Sequence, residues 1–256
     1  ADLRRRLLAL AYGEAGHVCV PIQGSGTYVI EAAIGSLVGP GDKLLVLENG
    51  VYGARAVTIA QRLGRPVASL RWPESTPVDP QAVRTALKAD PAISHVLLVH
   101  CETTTGILNP LQAVADAVAA EGRALIRQRM EAAGLTVKVD AAGNLIGRLD
   151  GTDPSLGVIA LGSHSDTVPA GGRFDGVAGV AAAVEVAHAL ADNGTRLRHP
   201  IEIIDFLAEE PSDYGLSCIG SRGLVGALSP EMLAMRDSKG ESVGQALVRV
   251  GGDPDG

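Results

Sequence analysis

The first half of the chain alternates short apolar runs with longer amphipathic segments. The runs KLLVLEN, PVASLRW and HVLLVHCE have the length and composition of buried strands. Helical segments separate them: Asp79 precedes Pro80 at the start of DPQAVRTALKA, and Asn109 precedes Pro110 at the start of NPLQAVADAVAAEG. Buried strands separated by helices predict a parallel sheet that is covered on both faces.

The second half has a different rhythm. LTVKVDAAGNLIGRLDG contains two strand-like runs around Gly143-Asn144, which predicts a hairpin. LGVIALGSHSDT is a strand running into a polar loop, and GVAGVAAAVEVAHALADNG predicts a helix ending at Gly194. PIEIIDFLAEE predicts a strand that ends in acidic residues. Both halves are therefore expected to be α/β, without being repeats of each other.

Composition narrows the class of protein. The 256 residues are 46% hydrophobic and 20% charged, with a net charge of −7, as in globular proteins that do not bind nucleic acid. Arg4–Arg6 predict only a solvated helix face. The three cysteines argue against a disulfide framework. With no signal-peptide pattern and no apolar run of membrane length, a cytoplasmic protein without a membrane partner is expected.

QGSGTYVIEAA places Ser25, Gly26 and Thr27 immediately before a helix. Backbone N–H groups and hydroxyls at a helix N-terminus make an anion site. A tight turn with a Ser or Thr cap explains the same residues equally well.

Acidic residues and a histidine gather at predicted strand ends in the second half. GSHSDTVPAGGRFDG carries His164, Asp166 and Asp175, and FLAEE adds Glu209 and Glu210. Adjacent carboxylates repel unless one binds a cation and the other holds or passes a proton. That division suits metal-assisted hydrolysis, in which a carboxylate accepts the proton of an activated water. The alternative is a set of solvated acids.

Two motifs of the first half resemble class V aminotransferases, and in particular 2-aminoethylphosphonate–pyruvate transaminases. They are GSGTYVIEAAIGSLVGPGDKLLVLENGVYGARA and HVLLVHCETTTGILNPLQAVADAVAAEGRAL, within a likeness that runs from about Leu7 to Leu125. The resemblance implies a large-domain fragment of the PLP-transferase fold type I. It also implies that the cofactor phosphate is held by Ser25, Gly26 and Thr27, and that Thr103 or Thr105 lies near the pyridine ring.

Pyridoxal-phosphate chemistry needs a Schiff-base lysine and an aspartate on the pyridine nitrogen. GRALI is followed by RQRM, where the resemblance calls for a strand with that aspartate. VDAAG imitates the aspartate motif but lies in the predicted hairpin. The four lysines do not stand in the family's lysine context: Lys43, Lys88, Lys138 and Lys239. Pyridoxal phosphate is therefore expected to bind, if at all, without a Schiff base.

The second half resembles M20 metallohydrolases of the hydantoinase/carbamoylase group, from about Arg127 to Gly256. The motifs are AAGLTVKVDAAGNLIGRLDGTDP, GSHSDTVPAGGRFDGVAGV and EEPSDYGLSCIGSRGL. The resemblance implies a zinc-peptidase-like catalytic-domain fragment that binds Zn²⁺, Mn²⁺ or a similar ion. By position it implies that His164 binds one metal, Asp175 bridges two, Glu210 binds the other, Glu209 is the general base and Asp166 orients the site.

The two resemblances predict a junction at Ile126–Arg127, within EGRALIRQRMEAAGL. Residues 1–126 are then an aminotransferase-like fragment and residues 127–256 an M20 amidohydrolase-like fragment. The expected activity is hydrolysis of N-carbamoyl amino acids or related small ureido compounds, impaired because the family places two further histidine ligands after the last residues here. The alternatives are a transaminase fragment and a catalytically inactive fusion. Incomplete sheets leave free edges, which predicts oligomers or poor solubility.

Overall fold

The structure is a computed structural model that describes residues 2–10, 19–168 and 174–256. It confirms the α/β class. The chain divides into two compact units, residues 1–122 and Arg123–Gly256. This division falls a few residues before the junction at Ile126–Arg127, which stays a prediction. Among the described helices, none combines the length and the apolar character needed to cross a bilayer.

In chain order the first unit begins with α1 (Asp2–Leu10), α2 (Gly26–Leu37), β1 (Lys43–Glu48) and α3 (Val51–Arg62). It continues through β2 (Val67–Arg71), α4 (Pro80–Ala89), β3 (Ile93–Leu98), β4 (Cys101–Glu102) and β5 (Ile107–Leu108). Arg4–Arg6 lie at exposed positions of α1.

The three-stranded sheet of the first unit has the order β2-β1-β3, and both neighbours run parallel to β1. Alternate side chains of the central strand point to opposite faces. Leu44 and Val46 pack with α2 and α3, whereas Leu45 and Leu47 pack with α4 and the start of the next helix. The predicted parallel sheet with two covered faces is confirmed.

Local signals are also confirmed at α4, where the Asp79 side chain accepts a hydrogen bond from the Gln81 amide and Pro80 fills the first helical position. The run HVLLVHCE was predicted to form one strand, but β3 ends at Leu98. The end of the run pairs instead as the antiparallel ribbon β4-β5 around a turn at Gly106, which has a φ of +73°.

Helix α5 (Leu111–Ala132) contains the division between the two units. It confirms that EGRALIRQRMEAAGL has no helix breaker before Gly134. Gly134 has a φ of +83°, and the Leu135 amide returns to the Met130 carbonyl to close the helix end.

The second unit continues with β6 (Thr136–Val139), β7 (Leu145–Leu149), β8 (Ile159–His164), α6 (Val177–Asp192) and β9 (Ile201–Phe206). Three short helices follow, α7 (Ile219–Leu224), α8 (Pro230–Leu233) and α9 (Val243–Arg249). The sheet order is β6-β7-β9-β8. The hairpin β6-β7 is antiparallel, as predicted, while β8 and β9 are parallel.

Two apolar clusters stabilise the second unit. One joins Met130 and Leu135 to the buried side of the sheet and to the small residues of α6. The other packs Ile219 and Leu247, from α7 and α9, with Leu207 just beyond the end of β9. The second cluster therefore fixes the segment between β9 and the acidic pair Glu209–Glu210.

Candidate metal centre

The parallel pair β8 and β9 brings the predicted site residues to one edge of the sheet. His164 is the last residue of β8 and lies opposite Phe206, the last residue of β9. Since parallel strands end on the same side, the loop after β8 and the Glu209–Glu210 pair meet there. Residues 169–173, between Asp166 and Asp175, lie outside the described residues.

Three of these residues form a group able to hold a metal ion. His164, Asp175 and Glu210 each offer one ligand atom, and these atoms all lie within 4.8 Å of one another. The His164 Nε2 and Glu210 Oε1 atoms are 3.9 Å apart. Ligands about 2.0–2.2 Å from a zinc ion lie up to about 4.4 Å apart, so a small contraction closes the site. One imidazole and two carboxylates suit Zn²⁺ or Mn²⁺.

The imidazole of His164 is oriented by the backbone. Its Nδ1 lies 2.9 Å from the Asp166 carbonyl oxygen, closer than the Asp166 carboxylate at 3.7 Å. An Nδ1–H donated to that carbonyl leaves Nε2 free as a metal ligand. Gly176, with a φ of +64°, lies against the ring, where a Cβ would collide with it. Glycine is thus required at this position on two grounds.

The Asp166 carboxylate is hydrogen-bonded to the backbone of Glu209 and Glu210, and not to the imidazole of His164. Its two carboxylate oxygens accept hydrogen bonds from the backbone amides of Glu209 at 3.2 Å and Glu210 at 3.0 Å. One side chain at the end of β8 therefore fixes the backbone that follows β9. Ala208, just before the pair, has a φ of +47°, a conformation rare for residues other than glycine.

Glu209 stands next to the ligand group without belonging to it. Its Oε2 accepts a hydrogen bond of 2.7 Å from the Ser221 hydroxyl, on α7. The amide of Cys218 donates to the Glu209 carbonyl. The side chain and the backbone of Glu209 are thus both held by the segment CIGSRGL.

Asn144 was not singled out from the sequence as a supporting residue. Its side chain is fully buried, donates to Asp140 and to the Gly220 carbonyl, and accepts from the Leu207 amide. It thereby connects the β6-β7 turn with the segment that leads to Glu209. The motif AAGN marked the hairpin turn, but nothing local indicated partners 63 and 76 residues away.

The predicted anion site at the start of α2 lines a separate cavity of about 570 Å³ within the first unit. Ser25, Gly26 and Thr27 lie on its wall at the start of α2, and Arg55 donates a hydrogen bond to the Thr27 hydroxyl at 3.1 Å. Thr103 also lines the cavity. Thr105 is not among the lining residues, and its hydroxyl donates to the Glu102 carbonyl.

The donor set of this cavity fits a phosphate group better than a Schiff base. Hydroxyls, a helix N-terminus and a guanidinium are suitable partners for an anion. None of the four lysines of the chain is among the lining residues. Lys43 is paired with Asp90, and Lys88 lies beside Glu121.

Each half of the chain is similar to a different class of known proteins. The second half is similar to hydrolases of the peptidase and amidase families: the model described as Peptidase family M28 matches residues 144–237. The first half is similar to aminotransferases. The resemblances inferred from the motifs are thus confirmed, although the matching family model carries the number M28 and not M20.

Individual relatives sharpen both likenesses. The 2-aminoethylphosphonate–pyruvate transaminase of Pseudomonas aeruginosa is 50% identical over 141 residues, covering 55% of this chain and 38% of that protein. A hydantoinase/carbamoylase family amidase from Burkholderia ambifaria is 34% identical, with a TM-score of 0.50 over 69% of this chain and 42% of its own. An amidase of that family from Burkholderia multivorans is 31% identical, with a TM-score of 0.50 over 70% of this chain and 41% of its own. The chain spans less than half of each relative.

Proposed function

We propose that the second unit provides part of the active site of a metal-dependent amidohydrolase acting on N-carbamoyl amino acids or related ureido compounds. The observation that carries this proposal is the convergence of His164, Asp175 and Glu210 beside a separately held Glu209. The hydantoinase/carbamoylase names of the relatives support the substrate class.

The residues divide the chemistry between them. His164, Asp175 and Glu210 would hold a divalent ion, and such an ion would lower the pKa of a bound water and polarise the substrate carbonyl. Glu209 then accepts the proton of the attacking water and delivers it to the leaving nitrogen. Ser221 keeps the Glu209 carboxylate in place, and Asp166 holds the backbone that carries both glutamates.

The metal site can be tested by isothermal titration of the purified chain with Zn²⁺ and Mn²⁺. His164→Ala removes one of three ligands and is expected to weaken binding by at least about tenfold, whereas His188→Ala, on α6 and outside the ligand group, leaves it unchanged. Equal affinities of the His164→Ala variant and the unmodified chain would contradict the proposed site.

Catalysis needs a separate test. Glu209→Gln keeps the size of the side chain and removes its basicity, so it should retain the metal and lose the release of ammonia from an N-carbamoyl amino acid. Hydrolysis by the Glu209→Gln variant at the rate of the unmodified chain would exclude Glu209 as the general base.

A second candidate function concerns the first unit, where the wall of the cavity supports binding of the phosphate of pyridoxal phosphate without a covalent bond. Arg55→Ala should reduce the affinity for pyridoxal phosphate, measured by equilibrium dialysis. Borohydride treatment should leave the mass of the protein unchanged, because the described residues that line the cavity include no lysine. A gain of one pyridoxyl phosphate, mapped to a lysine, would contradict non-covalent binding.

A further inference from the structure

Strand β9 contains a buried charge among apolar residues. Asp205 is fully buried, next to Ile203 and Ile204, which are buried as well. Burying a carboxylate is costly unless it is paired and hydrogen-bonded. Packing alone would favour an apolar residue at this position, so the acid calls for another explanation.

The hydrogen bond of Asp205 points towards the metal centre. Its Oδ2 accepts from the Ser165 hydroxyl at 2.9 Å. Ser165 stands between His164 and Asp166, in the turn that leaves β8. The bond joins residues 40 positions apart and ties this turn to the neighbouring strand.

The second oxygen of Asp205 is free of hydrogen bonds within the part of the chain that the structure describes. Burial raises the pKa of Asp205, while the Arg123 guanidinium and the hydrogen bonds from Ser165 act in the opposite direction. Arg123 itself donates to the Gly143 carbonyl, so it is held in the same region. Since only one oxygen is hydrogen-bonded, Ser165 is the main directional partner of this carboxyl group.

We propose that Asp205 is a positioning residue for the metal centre, which acts by holding Ser165 and, with it, the turn that presents His164 and Asp166. This inference rests on the proposed metal site. A shift of Ser165 would move the imidazole and the Asp166 carboxylate together, because they flank it directly. It would also loosen Glu209 and Glu210, whose amides donate to Asp166.

The inference distinguishes a hydrogen bond from a charge. Ser165→Ala removes the donor, and Asp205→Leu removes the acceptor while enlarging the side chain. Asp205→Asn keeps a carbonyl oxygen that can accept from Ser165 but removes the charge. If Asp205 acts through Ser165, the first two variants weaken metal binding and the third retains most of it.

The test uses the full chain and Zn²⁺, with the dissociation constant measured by competition against a chromophoric chelator. Ser165→Ala and Asp205→Leu should each weaken binding about tenfold, as is typical when a residue behind a metal ligand is lost. The double variant should bind no more weakly than the weaker single variant, because both changes break one interaction. The absorption spectrum of bound Co²⁺ should change in both single variants.

Thermal unfolding of the metal-free variants shows whether each is folded, and Ser165→Ala removes only one hydroxyl if Asp205→Leu fails to fold. Affinities equal to that of the unmodified chain for Ser165→Ala and Asp205→Leu would overturn the role of Asp205. An affinity for Asp205→Asn as weak as for Asp205→Leu would also overturn it, in favour of charge. Equal binding by the unmodified chain and His164→Ala would instead exclude the metal site itself.

Discussion

Tyr214 shows how a single polar side chain supports the second unit. Its hydroxyl donates to Glu241 at 2.8 Å, and Arg249 forms an ion pair with the same carboxylate. Burial, followed by the hydrogen bond and negative charge of Glu241, raises the pKa of Tyr214 to about 12. The folded protein therefore holds the phenolic proton more tightly than the unfolded chain, whose tyrosines titrate near pH 10.

A pH dependence follows, and its sign is fixed by linkage. The stabilising contribution of Tyr214 is complete below pH 10 and is lost as the pH rises from about 10 to about 12. Tyr214→Phe should be less stable at pH 8 by about 1 kcal/mol, the net value of one hydrogen bond, and should lose less stability than the unmodified chain above pH 10. Urea unfolding followed by far-UV circular dichroism measures both.

Tyr28, which is exposed in the first unit, provides the control for loss of a phenolic hydroxyl, and Tyr28→Phe should keep the stability of the unmodified chain at pH 8. Parallel stability curves for Tyr214→Phe and the unmodified chain between pH 9 and 12 would show that Tyr214 does not titrate as the structure indicates.

At the scale of elements, the hairpin β6-β7 depends on its turn. Gly143 has a φ of +77°, and a Cβ there would lie 2.7 Å from Leu207 and 3.1 Å from Val250. Gly134, at the end of α5, has a φ of +83° but open space around it. The pair therefore separates backbone strain from crowding.

Both substitutions to alanine place a side chain in the left-handed region, which costs about 1–2 kcal/mol. Gly143→Ala should lose a further 1 kcal/mol or more, roughly the penalty of overpacking, because Leu207 is held in the cluster of α7 and α9. The free energy of unfolding, from urea titration at constant pH, measures the difference. Equal losses in the two variants would mean that Leu207 moves aside without cost.

At the scale of the whole molecule, each unit has its own apolar clusters and its own sheet among the described strands. Each unit is therefore expected to unfold in its own transition. The single tryptophan, Trp72, packs in a cluster of the first unit, so its fluorescence reports on that unit alone. The formation of homo-oligomers through free sheet edges stays a prediction, which size-exclusion chromatography can test.

Zinc provides a way to separate the two transitions. A ligand at 100 times its dissociation constant stabilises the state that binds it by about 2.7 kcal/mol. Zn²⁺ should therefore shift the part of the circular dichroism transition that belongs to the second unit, without shifting the fluorescence transition of Trp72. His164→Ala should abolish the shift. A zinc-induced shift of the Trp72 transition would show that the two units unfold as one.

Much of the architecture follows from local sequence. The cap at Asp79, the helix end at Gly134 and the hairpin at Gly143-Asn144 each depend on neighbours a few residues away, and the structure has all three. The sequence predicted Cys101–Glu102 as the end of one strand, whereas these residues form an antiparallel ribbon with Ile107–Leu108. Apolar composition does not show where a turn reverses the chain.

The candidate site could be predicted from the sequence only because its residues follow the ends of predicted strands. His164, Asp166, Glu209 and Glu210 follow two apolar runs, and carboxyl ends of parallel strands meet at one edge. The roles of Ser165, Ser221 and Asp205 were not predictable, because a serine or a single acid in an apolar run has no local pattern that names its partner.

The sequence by itself determined the α/β elements and the chemical types of the candidate ligands, since periodicity, capping and composition act within a few residues. Only the tertiary structure decided that β9 lies between β7 and β8, and that Asn144, Asp205 and Ser221 support the acidic pair or the turn after β8. Most of these contacts join residues 40 to 76 positions apart. Their energy depends on strand order and burial, which no short stretch of sequence contains.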